Sequence, residues 1–207
     1  MIDVKQIVEL HRSTVARWHT QPIANSQQGF LALVCQQHSF NFLLWHEEDI
    51  ARSPDVSDAK IAAVKRAIDG YNQQRNDGIE KLDDWIIEQL RGQSVVVQTG
   101  ARLNTETPGS AIDRLSILAL RMYHMDEQAS RADAGVGHRA KARSRVEILV
   151  RQHHDLTQAL SELLDDIFAG RKRLEVYRQF KMYNDPALNP YLYGAGEQPT
   201  AAGPETK

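Results

Sequence analysis

A cluster of polar side chains interrupts the apolar face of the longest helix that the sequence predicts. It consists of Asn72, Arg75, Asn76 and Asp77. Asparagine and aspartate are disfavoured inside helices because their side chains compete for backbone hydrogen bonds. A guanidinium held by neighbouring amides can grip a phosphate or a carboxylate, since its planar fork matches two oxygen atoms. The alternative is a buried polar layer that fixes the register of packed helices. The sequence favours neither over the other.

A second polar cluster surrounds the start of a later helix. It consists of Thr107, Gly109, Ser110, Asp113 and Arg114. The free amide groups at a helix start and the positive end of the helix dipole attract anions. The same residue types also form an ordinary N-cap, which binds no ligand. These five residues are therefore candidates for substrate binding together with the first cluster, and not by themselves.

A third segment, residues 171–183, carries five basic residues against one acidic residue, with aromatic residues between them. Its candidate ligand-binding residues are Arg178, Lys181 and the adjoining Asn184. Cations interleaved with aromatic rings suit a phosphorylated ligand, a nucleotide or an anionic surface. The alternative is a short helix whose cations complement the negative end of the helix before it.

Histidines and carboxylates form a weaker candidate for a divalent metal site. The candidate ligands are His46, Glu48, Asp113 and His154. Helices that alternate up and down would bring the second cluster close to His154 at one end of a bundle. Imidazole nitrogens and carboxylate oxygens are common ligands of divalent ions. The competing interpretation is a solvated helix end with salt bridges around residues 46–49, and a His154 that faces water.

Apolar residues at spacings of three and four predict that helices position these clusters. The first three helices cover about 3–19, 27–51 and 58–92, a fourth begins at 107–108, a fifth carries an apolar stripe over 146–167, and a sixth, shorter helix is expected within 171–183. The β-branched run at 94–97 is treated as a packed linker, because one strand makes no sheet.

These elements predict a single all-α domain over residues 1–190, followed by a flexible tail over 191–207. The domain is expected to be an antiparallel bundle of five to six helices, partly like a coiled coil, because the three-four spacing is sustained over long stretches. The tail is rich in proline, glycine, alanine, threonine and glutamate, a composition that is typical of disorder.

Composition narrows the class of protein further. The chain has 207 residues, of which 42% are hydrophobic and 25% charged, and this balance is typical of a globular domain. A formal net charge of −2 argues against nucleic acid as a partner, since its capture needs a basic excess. Cys35 is the single cysteine, which excludes an internal disulfide and fits a reducing compartment. Nothing approaches about 18 uninterrupted apolar residues, so we expect a cytoplasmic protein without a transmembrane segment.

Four segments of the chain resemble an uncharacterised bacterial family, the domain of unknown function numbered four-two-five-four. The segments are 41–49, 72–77, 104–117 and 177–186, and they coincide with the polar clusters described above. The resemblance covers roughly residues 25–190. It implies a gene neighbourhood of glycosyltransferases for envelope polysaccharide or lipopolysaccharide, and it brings no established catalytic residues.

Three hypotheses about function follow. The first is an accessory or ligand-binding protein in bacterial surface-polysaccharide assembly, which recognises a phosphorylated or nucleotide-linked sugar and works with proteins of a glycosyltransferase pathway. The second is a metal-assisted enzyme that acts on such a substrate. The third is a structural partner protein that forms a homodimer through its long third and fifth helices. The sequence identifies no cofactor and no catalytic residue.

Overall fold

A computed structural model describes residues 2–178 and 185–193 of the chain. The chain divides into two units, Met1–Val176 and Tyr177–Lys207. The described residues of the first unit are helical except for connecting segments and two strands of two residues each. In the second unit, the described residues include one short helix. The predicted all-α class is confirmed, whereas residues 194–207 of the predicted tail lie outside the described residues.

The helices have the following bounds: α1 Val4–Trp18, α2 Gly29–Ala51, α3 Asp58–Gly92, α4 Pro108–Ser130, α5 Val136–Phe168 and, in the second unit, α6 Pro190–Tyr193. Side-chain caps explain why the predicted starts of three helices are close to the observed ones. Asp3 accepts a hydrogen bond from the Lys5 amide, and Ser57 and Thr107 cap α3 and α4 in the same way.

The core of the first unit lies where α4 packs against α1, α2, α3 and α5. Ile7, Leu82, Ile112 and Leu160 are fully buried there, and they come from α1, α3, α4 and α5. Helix α2 is apolar around most of its circumference, because it has neighbours on several sides. Polar residues of α2 therefore become buried, and they must find partners on the helices around them.

The expected sixth helix does not form over residues 171–178. Gly170 ends α5 with a φ of +69°, a left-handed conformation that glycine adopts without strain. The chain then continues as a strand, β2 (Lys172–Arg173), which pairs in parallel with β1 (Arg102–Leu103). Backbone pairing with β1 takes the place of the helical hydrogen bonds that the periodicity predicted. Residues 179–183 of the expected helix lie outside the described residues.

The linker at 94–97 packs differently from the prediction. The side chain of Val96 is 82% exposed, so burial of β-branched side chains does not hold the linker in place. Its backbone does, because the Gln98 amide donates to the Gly170 carbonyl at 2.9 Å. A Cβ atom on Gly170 would lie 2.2 Å from the Val96 carbonyl oxygen, so only glycine fits this contact.

In the part of the chain that the structure describes, every helix falls short of the length or the hydrophobicity required to cross a lipid bilayer.

Candidate functional site

The buried carboxylate of Asp113, near the start of α4, joins three helices. Its side chain is 5% exposed. Arg75 of α3 binds it with both arms of the guanidinium: Nε donates to Oδ1 at 2.8 Å, and Nη2 contacts Oδ2. From α2, the amide groups of Gln37 and Asn41 donate to Oδ1 at 2.6 and 2.9 Å. The two polar clusters predicted on α3 and α4 therefore meet at the pair of Arg75 and Asp113.

The hydrogen bonds continue from Asp113 toward α1. Asn41 Nδ2 also lies 2.8 Å from Ser116 Oγ, and His38 Nδ1 lies 2.6 Å from the same oxygen. The His38 ring stacks on Trp18, with the ring centroids 5.1 Å apart. We call Gln37, His38, Asn41, Arg75, Asp113 and Ser116 the Asp113 network.

Charge in this network is confined to Arg75 and Asp113. The hydrogen bond with Asp113 raises the pKa of Arg75, although burial acts against it. Burial lowers the pKa of His38 to about 3, with the His11 backbone acting weakly in the opposite direction. The pKa of His11 is also lowered, first by burial and then by His38 and His153. Both core histidines are therefore neutral at pH 7.

A cleft of about 520 Å³ opens beside the network, and we call it the Arg75 cleft. Its charged and amide lining consists of Asn41, Glu48, Asp49, Arg52, Asn72, Arg75 and Arg121, and its apolar lining includes Trp45. Arg52 forms an ion pair with Glu48 at 2.9 Å. Arg121 is exposed, and no carboxylate of residues 2–178 or 185–193 forms an ion pair with it.

A second cleft, of about 760 Å³, adjoins the first, and we call it the Arg114 cleft. Arg121 and Ile117 line both clefts, so the two share a border on α4. Arg114 forms an ion pair with Glu106 at 2.8 Å. Arg75 and Arg114, from the two predicted clusters, therefore lie in neighbouring clefts with Arg121 between them.

The helix start that was expected to bind an anion receives a carboxylate of the protein itself. The Gly109 amide donates to Asp83 Oδ1 at 2.7 Å, and the Ser110 amide donates to Thr107 Oγ1 at 3.2 Å. A Cβ atom on Gly109 would lie 2.6 Å from the backbone oxygen of Ile79, so glycine permits this close approach of α4 to α3. The start of α4 is therefore occupied by a side chain of α3.

Comparison with known families identifies a match over most of the first unit. A family model described as "Protein of unknown function (DUF4254)" matches residues 31–176. The chain belongs to this family. Comparisons with curated proteins and with solved structures gave no match. The DUF4254 region begins within α2 and ends where the first unit ends, so it contains the whole Asp113 network and the lining of both clefts.

The remaining predicted substrate-binding residues lie outside the Asp113 network. Asn72 lines the Arg75 cleft, whereas Asp77 accepts a hydrogen bond from Gln73 Nε2 at 3.0 Å. Asn76 also has a partner within the chain. Arg178 belongs to the second unit and is exposed. The last two predicted residues, Lys181 and Asn184, lie outside the described residues.

The four residues predicted to bind a metal occupy different surroundings. Glu48 pairs with Arg52, Asp113 is held by Arg75, and His154 is an exposed residue of α5. His46 instead lies close to two other histidines of the first unit, His19 and His124.

Sequence reasoning missed Gln37, His38 and Ser116 as members of the Asp113 network. A signal was present, because Gln37, His38 and Asn41 are polar residues at helical spacing within an otherwise apolar segment. In a helix that is buried on several sides, such residues require internal partners. Their partners lie more than 70 positions further along the DUF4254 region, and no local pattern identifies them.

Proposed function

We propose that this protein binds a phosphorylated or nucleotide-linked sugar across the Arg75 and Arg114 clefts. The observation that carries the proposal is Arg121, which lines both clefts as an exposed arginine without an ion pair among the described residues. A guanidinium in this state has its donors available for phosphate, which it binds through two parallel hydrogen bonds.

Other groups in the Arg75 cleft suit the sugar part of such a ligand. Glu48, Asp49 and Asn72 offer acceptors and donors for hydroxyl groups. Trp45 presents an aromatic ring on which the apolar face of a sugar ring can pack. Carboxylates beside arginines also disfavour a bare polyanion, because like charges repel each other. The combination favours a ligand with both phosphate and hydroxyl groups.

The biological setting of the proposal comes from the family resemblance. That resemblance implies a gene neighbourhood of glycosyltransferases of envelope-glycan assembly, so a sugar phosphate or sugar nucleotide is a ligand of the expected class. In this role the protein is an accessory protein that works with enzymes of the pathway. The metal-assisted enzyme and the homodimeric partner protein stay predictions beside it.

Thermal denaturation and calorimetric titration test the proposal. The probes are UDP-glucose, glucose 1-phosphate, UMP and inorganic phosphate. A ligand that binds the folded state alone raises the melting temperature with its concentration. We expect Arg121→Gln to weaken binding by about 10-fold or more, as loss of a charge-assisted hydrogen bond does.

Arg143→Gln is the matched control, because Arg143 is an exposed arginine of α5 that lines neither cleft. It is expected to bind the probes as the natural chain does. Binding of phosphate and UMP without preference for the sugar-containing probes would contradict sugar recognition. Equal affinities of the Arg121→Gln variant and the natural chain would contradict the proposed site.

A further inference from the structure

Three histidines from different parts of the chain converge at one end of α1. His19 is the C-cap residue of α1, His46 belongs to α2, and His124 belongs to α4. One ring nitrogen of each lies within 4.8 Å of the corresponding nitrogen of the other two. All three residues are half-buried. The fold therefore brings together imidazoles that are far apart in the sequence, and we call this group the three-histidine cluster.

Hydrogen bonds fix which nitrogen carries the proton in two of the rings. His19 Nδ1 lies 2.7 Å from the Val15 carbonyl oxygen, and His124 Nδ1 lies 2.9 Å from Glu127 Oε2. A backbone carbonyl and an ionised carboxylate only accept hydrogen bonds, so Nδ1 carries the proton in both neutral rings. The Nε2 atom of each ring then carries a lone pair that can bind a ligand. Both Nε2 atoms are buried and have no hydrogen-bond partner in the described residues.

Aromatic contacts hold the same two rings in place. His19 stacks on Tyr123, with the ring centroids 4.3 Å apart and the planes 18° from parallel. His124 stacks on Trp45 at 4.8 Å, and those planes differ by 6°. The centroids of the three histidine rings lie 5.0–5.7 Å from one another. The orientation of the cluster is therefore set by packing before any ligand arrives.

The electrostatic surroundings favour the neutral form of His46. Burial lowers its pKa, and His19 and His124 lower it further because a second positive charge beside them is unfavourable. The carboxylates of Asp49 and Glu127 act in the opposite direction. The neutral imidazole is the form that binds metal ions.

We propose that His19, His46 and His124 bind one divalent transition-metal ion, with zinc as the ion of choice. Tetrahedral zinc with bonds of about 2.0–2.1 Å to nitrogen places its ligand atoms about 3.4 Å apart. The three nitrogens lie within 4.8 Å of one another, so binding zinc requires each separation to shorten by at most about 1.4 Å. Three imidazoles suit zinc, copper, nickel and iron, whereas magnesium and calcium prefer oxygen ligands.

The outer contacts of the cluster agree with this assignment. Histidines that bind metals generally donate their other N–H group to a carboxylate or a backbone carbonyl, which fixes the ring and raises its basicity. Glu127 does this for His124, and Val15 does it for His19. Three protein ligands leave the fourth tetrahedral position of zinc to water or a substrate. The site is independent of the proposed sugar binding, although Trp45 touches it and also lines the Arg75 cleft.

The test is titration of the full chain, purified without a histidine tag and stripped of metal by a chelator, with zinc chloride. Calorimetry is expected to give one zinc ion per chain. Cobalt(II) is expected to give the intense visible absorption of a tetrahedral complex. His46→Gln and His124→Gln are each expected to weaken zinc binding by more than about 100-fold, since loss of a ligand exceeds the 10–100-fold effect of an outer partner.

Two further variants separate this site from surface binding. Glu127→Gln is expected to weaken zinc binding by about 10–100-fold, and its half-exposed position leaves the fold intact. His154→Gln is the control, because His154 is exposed and lies outside the cluster. Zinc affinity that is unchanged in both His46→Gln and His124→Gln would overturn the proposal. So would zinc binding that disappears in His154→Gln, or a natural chain that binds no zinc.

Discussion

Asp113 exchanges its hydration for hydrogen bonds from three side chains, Gln37, Asn41 and Arg75. A buried carboxylate is stable when its oxygens are satisfied and a cation neutralises it. Sequence reasoning singled out Arg75 and Asp113 separately, because each is a charged residue on a helix that packs against others. It did not pair them. The sequence favoured neither a guanidinium that grips a phosphate or a carboxylate nor a buried polar layer, and in the structure Arg75 binds a carboxylate of the same chain.

At the scale of single residues, stability is expected to fall as the pH drops from 7 to 5. His38 has a pKa of about 3 when folded, against an ordinary value of 6.5. Between these values the unfolded chain binds more protons than the folded one, so the stability contributed by the neutral ring is present above 6.5 and lost as the pH falls. His38 contributes a slope of about 1.4 kcal/mol per pH unit, and His11 acts in the same direction.

Urea unfolding at pH 7, 6 and 5 measures this slope. His38→Gln is expected to reduce this slope by about 1.4 kcal/mol per pH unit, which corresponds to one proton, whatever the effect of the substitution on stability at pH 7. Gly137→Ala is expected to leave the slope unchanged, because it removes no titratable group and a Cβ atom there meets nothing within 4 Å. A His38→Gln slope equal to that of the natural chain would show that His38 binds protons equally in the folded and unfolded chains, which contradicts a lowered pKa.

At the scale of elements, α3 and α4 approach so closely at Gly109 that no side chain fits. We expect Gly109→Ala to destabilise the protein by about 1–3 kcal/mol, because the new Cβ atom meets the backbone of Ile79 as well as the carboxylate of Asp83. Backbone cannot move aside as the end of a flexible side chain can. Chemical unfolding at pH 7 measures the change.

Gly137→Ala is the matched control, since Gly137 is the second residue of α5 just as Gly109 is the second residue of α4. A Cβ atom there meets nothing within 4 Å. Alanine is expected to stabilise α5 by about 0.5–1 kcal/mol, because glycine has the greater freedom in the unfolded chain. Destabilisation by both substitutions to the same extent would mean that the contact with α3 is not the cause.

The starts of α3 and α4 and the end of α5 were predictable because they carry local signals, whereas α5 begins at Val136, ten residues before its predicted apolar stripe. Ser57 and Thr107 are caps, and Gly170 is a stop. The turn of the chain after Gly170 into β2 was not predictable, since its partner β1 lies 70 residues earlier and neither strand has a β-branched run. The two proposed sites differ in the same way. The charged residues of the Asp113 network interrupt predicted apolar stripes, whereas His19 and His124 of the three-histidine cluster have no sequence feature that links them.

At the scale of the whole molecule, α1 is required for the core although it precedes the DUF4254 region. Ile7, Val15 and Trp18 of α1 are buried against the other helices. We expect removal of residues 2–28 to abolish cooperative unfolding, because it exposes the apolar surface that α1 covers. Circular dichroism during urea unfolding measures cooperativity.

Removal of residues 177–207 is the comparison for this deletion. The first unit ends at Val176, and its core is built from residues of that unit. A chain that stops at Val176 is therefore expected to unfold in one cooperative transition. The expectation is wrong if the chain without residues 177–207 loses cooperative unfolding while the chain without residues 2–28 keeps it.

The position of Trp45 gives the molecule an intrinsic optical reporter. Its indole ring lies flat against His124 on one side and borders the Arg75 cleft on another. The other two tryptophans, Trp18 and Trp85, pack against His38 and Phe30 in the core. Fluorescence that is lost in a Trp45→Phe variant therefore comes from the one indole that adjoins both proposed sites. A paramagnetic ion bound at the three-histidine cluster would quench this fluorescence. A ligand in the Arg75 cleft would instead shift its emission wavelength, so one ring reports the two events separately.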